Sequence, residues 1–217
     1  MISLTSAGPH KPGQIVVLNG APRSGKTSIA KAIADVFDEP WLNIGVDAWM
    51  RITPEHLHPG IGLRPGGERP DLEPLIKLLY GGLYEAVAAQ SRCGLNVVVD
   101  VGHHDSYSRR LTILRDCARR LTGLPVLFVG VRCPLEVILK RRLESRSGGG
   151  GTYLTGSLAD PPAPVLLWQS EVHKPGIYDL EVDSSASSPV ECAEEIRLRL
   201  RSGVGTPAAF ARLAEMA

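Results

Sequence analysis

The 217-residue sequence predicts an α/β fold: a parallel sheet covered by helices on both faces. Three observations lead there. Short unbroken runs rich in Val, Ile and Leu recur along the chain, as expected of strands buried on both faces. Segments with helical spacing fill the intervals between them. A glycine loop stands between the first apolar run and the first helical segment, where a strand–turn–helix would need it.

The elements follow in order. Residues 1–13, with Gly8, Pro9, Pro12 and Gly13, read as a flexible N-terminal arm. Ile15–Leu18 is the first strand, and Ser28–Phe37 is the helix after the glycine loop. Trp41–Val46, Asn96–Val99 and Val126–Val131 read as further strands, with Leu180–Val182 a weaker fifth. Helical patterns occupy about 73–91, 105–122, 134–145, 164–173 and 189–201. Residues 53–72, rich in Pro and Gly, read as an ordered loop or short-helix insertion beside a site. The run SGGGGT at 147–152 cannot pack as an element, and suits a lid over about 140–160 or a disordered loop. One domain over 14–202 results, with 203–217 as a C-terminal tail or helix.

Composition excludes several classes. Lys and Arg number 24 against 23 Asp and Glu, a net charge of +1, so the clustered excess of cations needed by a general nucleic-acid binder is missing. No run approaches the roughly 20 apolar residues of a membrane span. The N-terminus has neither a basic leader nor a long apolar stretch, which argues against a signal peptide. Cys93, Cys117, Cys133 and Cys192 form no C-x-x-C pair and have no His at zinc-ligand spacing. They read as reduced packing thiols of a cytoplasmic protein.

The chemistry starts at GAPRSGKT, residues 20–27, a G-x-x-x-x-G-K-[ST] motif. Gly20, Ala21, Pro22, Arg23, Ser24 and Gly25 form the loop, whose glycines let several N–H groups turn inward. Lys26 would place its ammonium on the β- and γ-phosphates, and the Thr27 hydroxyl would join a Mg²⁺ shell. Ser28 opens the helix, whose positive end adds to the anion site. The motif points to binding of a nucleotide phosphate.

Two carboxylates follow strands. Asp47 ends the run WLNIGV and Asp100 ends NVVV. In a parallel sheet both emerge on the carboxyl edge, where the phosphate loop also lies and where ligands of open α/β sheets bind. Asp100 suits the holder of Mg²⁺ and its waters, or a helix cap. Asp47 suits the base that orients an attacking hydroxyl, or a cap on the next turn, and the two roles could be exchanged. In KRRLESR, residues 140–146, Arg142 and Arg146 share a helical face. They read as lid arginines that reach the transferring phosphate, or as a solvated face. Arg132, at the end of the fourth strand, is a weaker candidate for the nucleotide site. His103 and His104 read as possible substrate contacts or as packing.

These residues resemble the chloramphenicol phosphotransferase-like P-loop kinases. IVVLNGAPRSGKTSIAKAI is similar to the family's strand, loop and first helix, and EPWLNIGVDAWM to its second strand. VLFVGVRCPLEVI and HKPGIYDLEVDSSASSPVECAEEI are similar to its fourth strand and closing segment. The resemblance implies a three-layer fold with a central five-stranded parallel sheet and a helical lid. It implies ATP with Mg²⁺, and transfer to a hydroxyl of a small molecule such as an antibiotic. Asp47 falls at the position of the family's proposed base, and Ser184–Pro189 would lie near the adenine. The family often has paired carboxylates after its third strand, where this chain has Asp100, Val101, Gly102, His103 and His104. The 53–72 segment has no close match in the family. A nucleoside or other metabolite kinase on the same scaffold is a rival reading. A non-catalytic nucleotide switch is another; a guanine switch usually carries N-K-x-D, and the chain has none.

Overall fold

The computed structural model describes residues 11–59, 69–147, 155–202 and 208–216. Most of the expected arm, residues 60–68 of the insertion, and most of the glycine run lie outside the described residues. Strands β1 (Ile15–Asn19), β2 (Trp41–Asn43), β3 (Asn96–Val101), β4 (Val126–Arg132) and β5 (Leu180–Asp183) form one sheet. Its order is β2-β3-β1-β4-β5, and every neighbouring pair is parallel. The helices are α1 (Lys26–Val36), α2 (Val46–Ile52), α3 (Glu73–Arg92), α4 (Ile113–Arg120), α5 (Leu135–Ser147), α6 (Ala163–Glu171), α7 (Pro189–Arg201) and α8 (Ala209–Glu215).

Strand alternation divides the core into two layers. Ile15, Val17, Val97, Val99 and Phe128 pack toward α3, α4 and α8. Val16, Leu18, Val98, Leu127 and Val129 pack toward α1 and α7. Because both faces are covered, the central strands can be apolar at nearly every position. A smaller third cluster joins Ala21 of the phosphate loop to α5 and α6 through Ile138, Leu139, Val165 and Trp168. The chain runs from β1 to β2 and β3 on one side, then crosses to β4 and β5 on the other. The loops after β1 and its neighbours therefore open a crevice at the carboxyl edge.

Two elements differ from the sequence-based expectation. The second strand stops at Asn43 and not at Val46, because only Trp41 of this edge strand is buried and the chain turns at Gly45 into α2. The helix expected from residue 105 starts at Ile113. Asp105 diverts the backbone before it: its carboxylate accepts the N–H groups of Leu111 at 3.0 Å and Thr112 at 2.8 Å. A short acidic side chain that satisfies backbone donors competes in this way with the helix itself. Residues 53–72 contain two single-turn 3-10 helices, Glu55–Leu57 and Pro70–Leu72. Among the described residues no helix is long and apolar enough to cross a membrane.

The C-terminal helix α8 belongs to the core. Asp179 accepts the Ala208 and Ala209 N–H groups at its start, at 2.9 and 3.0 Å. Arg119 donates to the Ala214 and Met216 carbonyls at its end. Phe210, 4% exposed, meets Phe128 edge-on with ring centroids 4.9 Å apart and stacks on Tyr84. Phe210→Ala should therefore cost about 3 kcal/mol through transfer and cavity terms. Urea denaturation checks this; an unchanged midpoint would mean that α8 does not seal the core.

Candidate active site

The phosphate loop connects β1 to α1. A Cβ on Gly20 would lie 2.6 Å from the Val131 carbonyl oxygen, so the loop can leave the sheet here only without a side chain. Gly25 takes φ +94°, and Arg23 also has positive φ, at 73°. The left-handed turn at Gly25 delivers the chain into α1. No side chain caps this helix and no acidic residue occupies its first turn. Its leading N–H groups are thus left for an anion. Lys26, 9% exposed, folds over the loop and donates to the Ala21 carbonyl at 3.0 Å.

Asp100 meets this loop from β3, whose register pairs it with Leu18 of β1. The Thr27 hydroxyl donates to Asp100 Oδ2 at 2.5 Å, and the Lys26 ammonium stands 3.7 Å from Oδ1. Asp47 comes from the first turn of α2. It is exposed and lines the same cavity as Lys26, Thr27 and Asp100, a space of about 1070 Å³. Gly45 allows this approach. A Cβ there would stand 2.7 Å from the Asp100 carbonyl oxygen and 3.0 Å from Asp100 Cβ, so the turn into α2 packs directly on the backbone of Asp100.

The arginines fall differently from the sequence-based expectation. Arg142 is 1% exposed and does not line the cavity; it follows Ile138 by one turn and shares that residue's inward face. Its neighbour Arg141, rotated by one helical step, lines the cavity in its place. Arg141 donates to the Ser184 carbonyl at 2.6 Å, the Ser184 hydroxyl at 3.2 Å and the Arg23 carbonyl at 3.4 Å. The Ser184 hydroxyl in turn donates to the Ser24 carbonyl at 2.5 Å. The end of β5 is so joined to the phosphate loop. Arg146 lies further along α5, and its side chain is outside the described ones. Arg132 pairs with Glu181 at 2.5 Å and does not line the cavity.

On the β2–β3 side, Arg51, Tyr80 and Trp168 complete the wall. Arg51 follows Asp47 by one turn of α2, so both project from one helical face. The Tyr80 hydroxyl donates to the Gly102 carbonyl at 3.0 Å. Trp168 presses on Gly102, where a Cβ would lie 2.7 Å from its ring. Sequence reasoning missed Arg141, Tyr80 and Trp168. They reach the site through helix phase and tertiary contact, and no local motif marks them. His104 stacks on Tyr107 and meets Trp168 edge-on. His103 is 2% exposed, bonded through Nε2 to the Tyr84 hydroxyl at 2.8 Å, and outside the cavity lining. Among the described residues no group of three or more His, Cys, Asp or Glu could hold a metal ion by itself.

Burial, with a smaller push from His104, lowers His103 from the ordinary 6.5 to about 3. The unfolded chain therefore takes up a proton that the folded chain refuses. The stability from this group is complete above pH 6.5 and drains away as the pH falls toward about 3. His173, lowered to about 4 mainly by burial, acts in the same direction. Unfolding free energy from urea titrations should fall between pH 7 and 5 by up to about 1.4 kcal/mol per unit for each histidine. His103→Gln should flatten that slope; an unaltered slope would show that His103 carries no such penalty.

Solved structures share this architecture. The Mycobacterium tuberculosis APS kinase, in complex with AMPPNP and APS, aligns with a TM-score of 0.60 at 18% identity, covering 88% of this chain and 98% of that one. Shikimate kinase from Acinetobacter baumannii, in complex with shikimate, aligns with a TM-score of 0.57 at 12% identity, covering 90% and 96%. These likenesses establish the three-layer P-loop kinase fold. A protein of Mycobacterium tuberculosis strain H37Rv named "Putative O-phosphotransferase" is 29% identical over 216 residues, 93% of this chain and 88% of its own length. The model of the family described as chloramphenicol phosphotransferase-like protein matches residues 13–201. That span takes in the phosphate loop, both carboxylates and every strand of the sheet, and the chain belongs to the chloramphenicol phosphotransferase-like family.

Proposed function

We propose that the protein moves the γ-phosphoryl group of ATP to a hydroxyl of a small molecule, with antibiotic alcohols as the first acceptor class. The observation that carries this reading is one cavity lined by Lys26, Thr27, Asp100 and Asp47, which three separate segments supply. The leading N–H groups of α1 and the Lys26 ammonium bind the phosphate tail. Thr27 and Asp100 offer a hydroxyl and a carboxylate side by side, hard oxygen donors that fit Mg²⁺. When bound, Mg²⁺ would supply charge neutralisation on the phosphates. A site with few protein ligands suits this ion, which keeps waters and takes phosphate oxygens.

Asp47 orients the acceptor hydroxyl and accepts its proton, which then passes to solvent. The acceptor oxygen forms a bond to the γ-phosphorus as the bond to the bridging oxygen breaks, and ADP leaves with that electron pair. Arg141 keeps the phosphate loop and the end of β5 in register and lines the donor side of the cavity. Tyr80, Trp168 and Arg51 frame the acceptor, offering two ring surfaces and one cation. Such a site acts by positioning and fixed electrostatics. The phosphoryl group adds nearly two negative charges to the product, enough to spoil a drug's fit to its target.

Asp47→Asn should keep Mg²⁺–AMPPNP affinity within about threefold by calorimetry and lower turnover by roughly a hundredfold or more. Loss of nucleotide binding with unchanged turnover per bound complex would move Asp47 from the acceptor to the metal or nucleotide. Lys26→Ala should reduce transfer by about 10²–10³. It also leaves Asp100 without its ammonium partner. Mass spectrometry on an acceptor panel of antibiotic alcohols, nucleosides and sugars reports the added phosphoryl group. Transfer to nucleosides alone would replace the antibiotic reading with a nucleoside kinase.

A further inference from the structure

Asn19 is the last residue of β1, 1% exposed, and immediately precedes Gly20. Its amide is engaged on three sides. Oδ1 accepts the His103 backbone N–H at 2.8 Å. Nδ2 donates to the Val172 carbonyl at 2.8 Å and to the Tyr178 hydroxyl at 2.8 Å. The Tyr178 hydroxyl, which accepts from Asn19, also shares a hydrogen bond with His173 Nδ1 at 2.8 Å.

These partners are not scattered. His103 follows Gly102 at the end of β3, and Val172 follows Trp168 by one turn at the end of α6. The same three segments meet again at Gly20, Gly102 and Trp168. A Cβ on Gly102 would stand 3.1 Å from the Gly20 carbonyl oxygen and 2.7 Å from the Trp168 ring. The start of the phosphate loop, the end of the Asp100 strand and the cavity face of α6 therefore touch through glycines. One buried side-chain amide spans all three.

We propose that Asn19 is a positioning residue that ties the Trp168 wall to the phosphate loop, so that filling the loop with nucleotide is transmitted to the acceptor side. The physical reason is the cost of disconnection. Losing the amide leaves the His103 N–H and the Val172 carbonyl buried without a partner, and the end of α6 loses its hydrogen-bonded link to the phosphate loop, keeping the Gln169 bond to the Cys133 carbonyl and its apolar contacts. Hydrogen bonds fix distance and direction where apolar packing permits sliding. Only the nucleotide-dependent half of the claim rests on the proposed phosphotransfer reading.

Fluorine NMR of protein labelled with 5-fluorotryptophan tests both halves. The chain has three tryptophans, Trp41, Trp49 and Trp168, and a Trp168→Phe sample assigns the resonance. Without nucleotide, Asn19→Leu should shift or broaden the Trp168 line and leave Trp41, packed in the α1–α7 layer, unmoved. An unchanged Trp168 line would overturn the tie. With Mg²⁺–AMPPNP, the unmodified protein should shift its Trp168 line. Asn19→Leu should bind within about threefold of the same affinity by calorimetry yet show no shift. A response equal to that of the unmodified protein, or none in the unmodified protein despite measured binding, would overturn the coupling. Absence of nucleotide binding in the unmodified protein would overturn the coupling and the phosphotransfer reading together, while the first experiment still decides the tie. If Asn19→Leu does not fold, Asn19→Asp, which keeps the acceptor for His103, should give the same two results. A role in stability alone would lower the melting temperature and leave the nucleotide response of Trp168 intact.

Discussion

The carboxylate of Asp100 stands between the Thr27 hydroxyl, 2.5 Å away, and the Lys26 ammonium, 3.7 Å away. This contact follows from the sheet. β1 and β3 are parallel neighbours with Leu18 opposite Asp100, so the strand that ends in an acid stops beside the strand that starts the phosphate loop. Both side chains are largely withdrawn from water, with 10% and 17% of their surface exposed. Neither charge is easily removed alone, since a lone charge left in such a place is strongly destabilising. The ion pair and the hydroxyl set one end of the cavity, and the remaining segments are arranged round it.

Glycines make that arrangement dense. Gly20, Gly45 and Gly102 each sit where a Cβ would come within 2.7 Å of a neighbouring backbone oxygen or ring atom. At Gly20 the loop clears β4, at Gly45 the turn into α2 rests on Asp100, and at Gly102 the β3 end meets α6. Positive φ is not the reason at any of the three; close approach is. The polar hubs play a complementary part. Asn19 joins three segments on one side of the loop, and Arg141 with Ser184 joins β5 to it on the other. The phosphate loop is thereby braced from both flanks, as the proposed transfer would need for its dipoles to stay fixed.

The meeting of Lys26, Thr27 and Asp100 is legible in the sequence. GAPRSGKT carries its own local logic, and an acid directly after four apolar residues has to leave a parallel sheet at its carboxyl edge. The three central strands are legible because buried parallel strands are unbroken apolar runs, whereas the edge strands β2 and β5, with one buried residue each, give a weaker signal. The sequence places Asp47 at the carboxyl edge as the end of a strand, whereas it stands in the first turn of α2. Legibility failed where phase or long-range contact decides. Arg141 and Arg142 are adjacent in a helix with charged residues on several sides, so only packing tells which faces the cavity. Tyr80 and Trp168 look like ordinary core aromatics until α3 and α6 dock. Asn19 looks like the tail of a strand until its partners, more than 80 residues distant, arrive. The shortened α4 shows local competition: a single carboxylate, Asp105, satisfies donors that a longer helix would have used.

The proposed transfer requires a phosphate tail lying between Lys26 and Asp47 at the carboxyl edge. A crystal structure with Mg²⁺ and AMPPNP measures this directly, through the distance from the γ-phosphorus to the Asp47 carboxylate. The expected separation is roughly 4–6 Å, room for one hydroxyl oxygen approaching at about 3–3.5 Å, with Thr27 and Asp100 around the metal. A γ-phosphate anchored away from Lys26, or an Asp47 side chain turned out of the cavity in that complex, would contradict it.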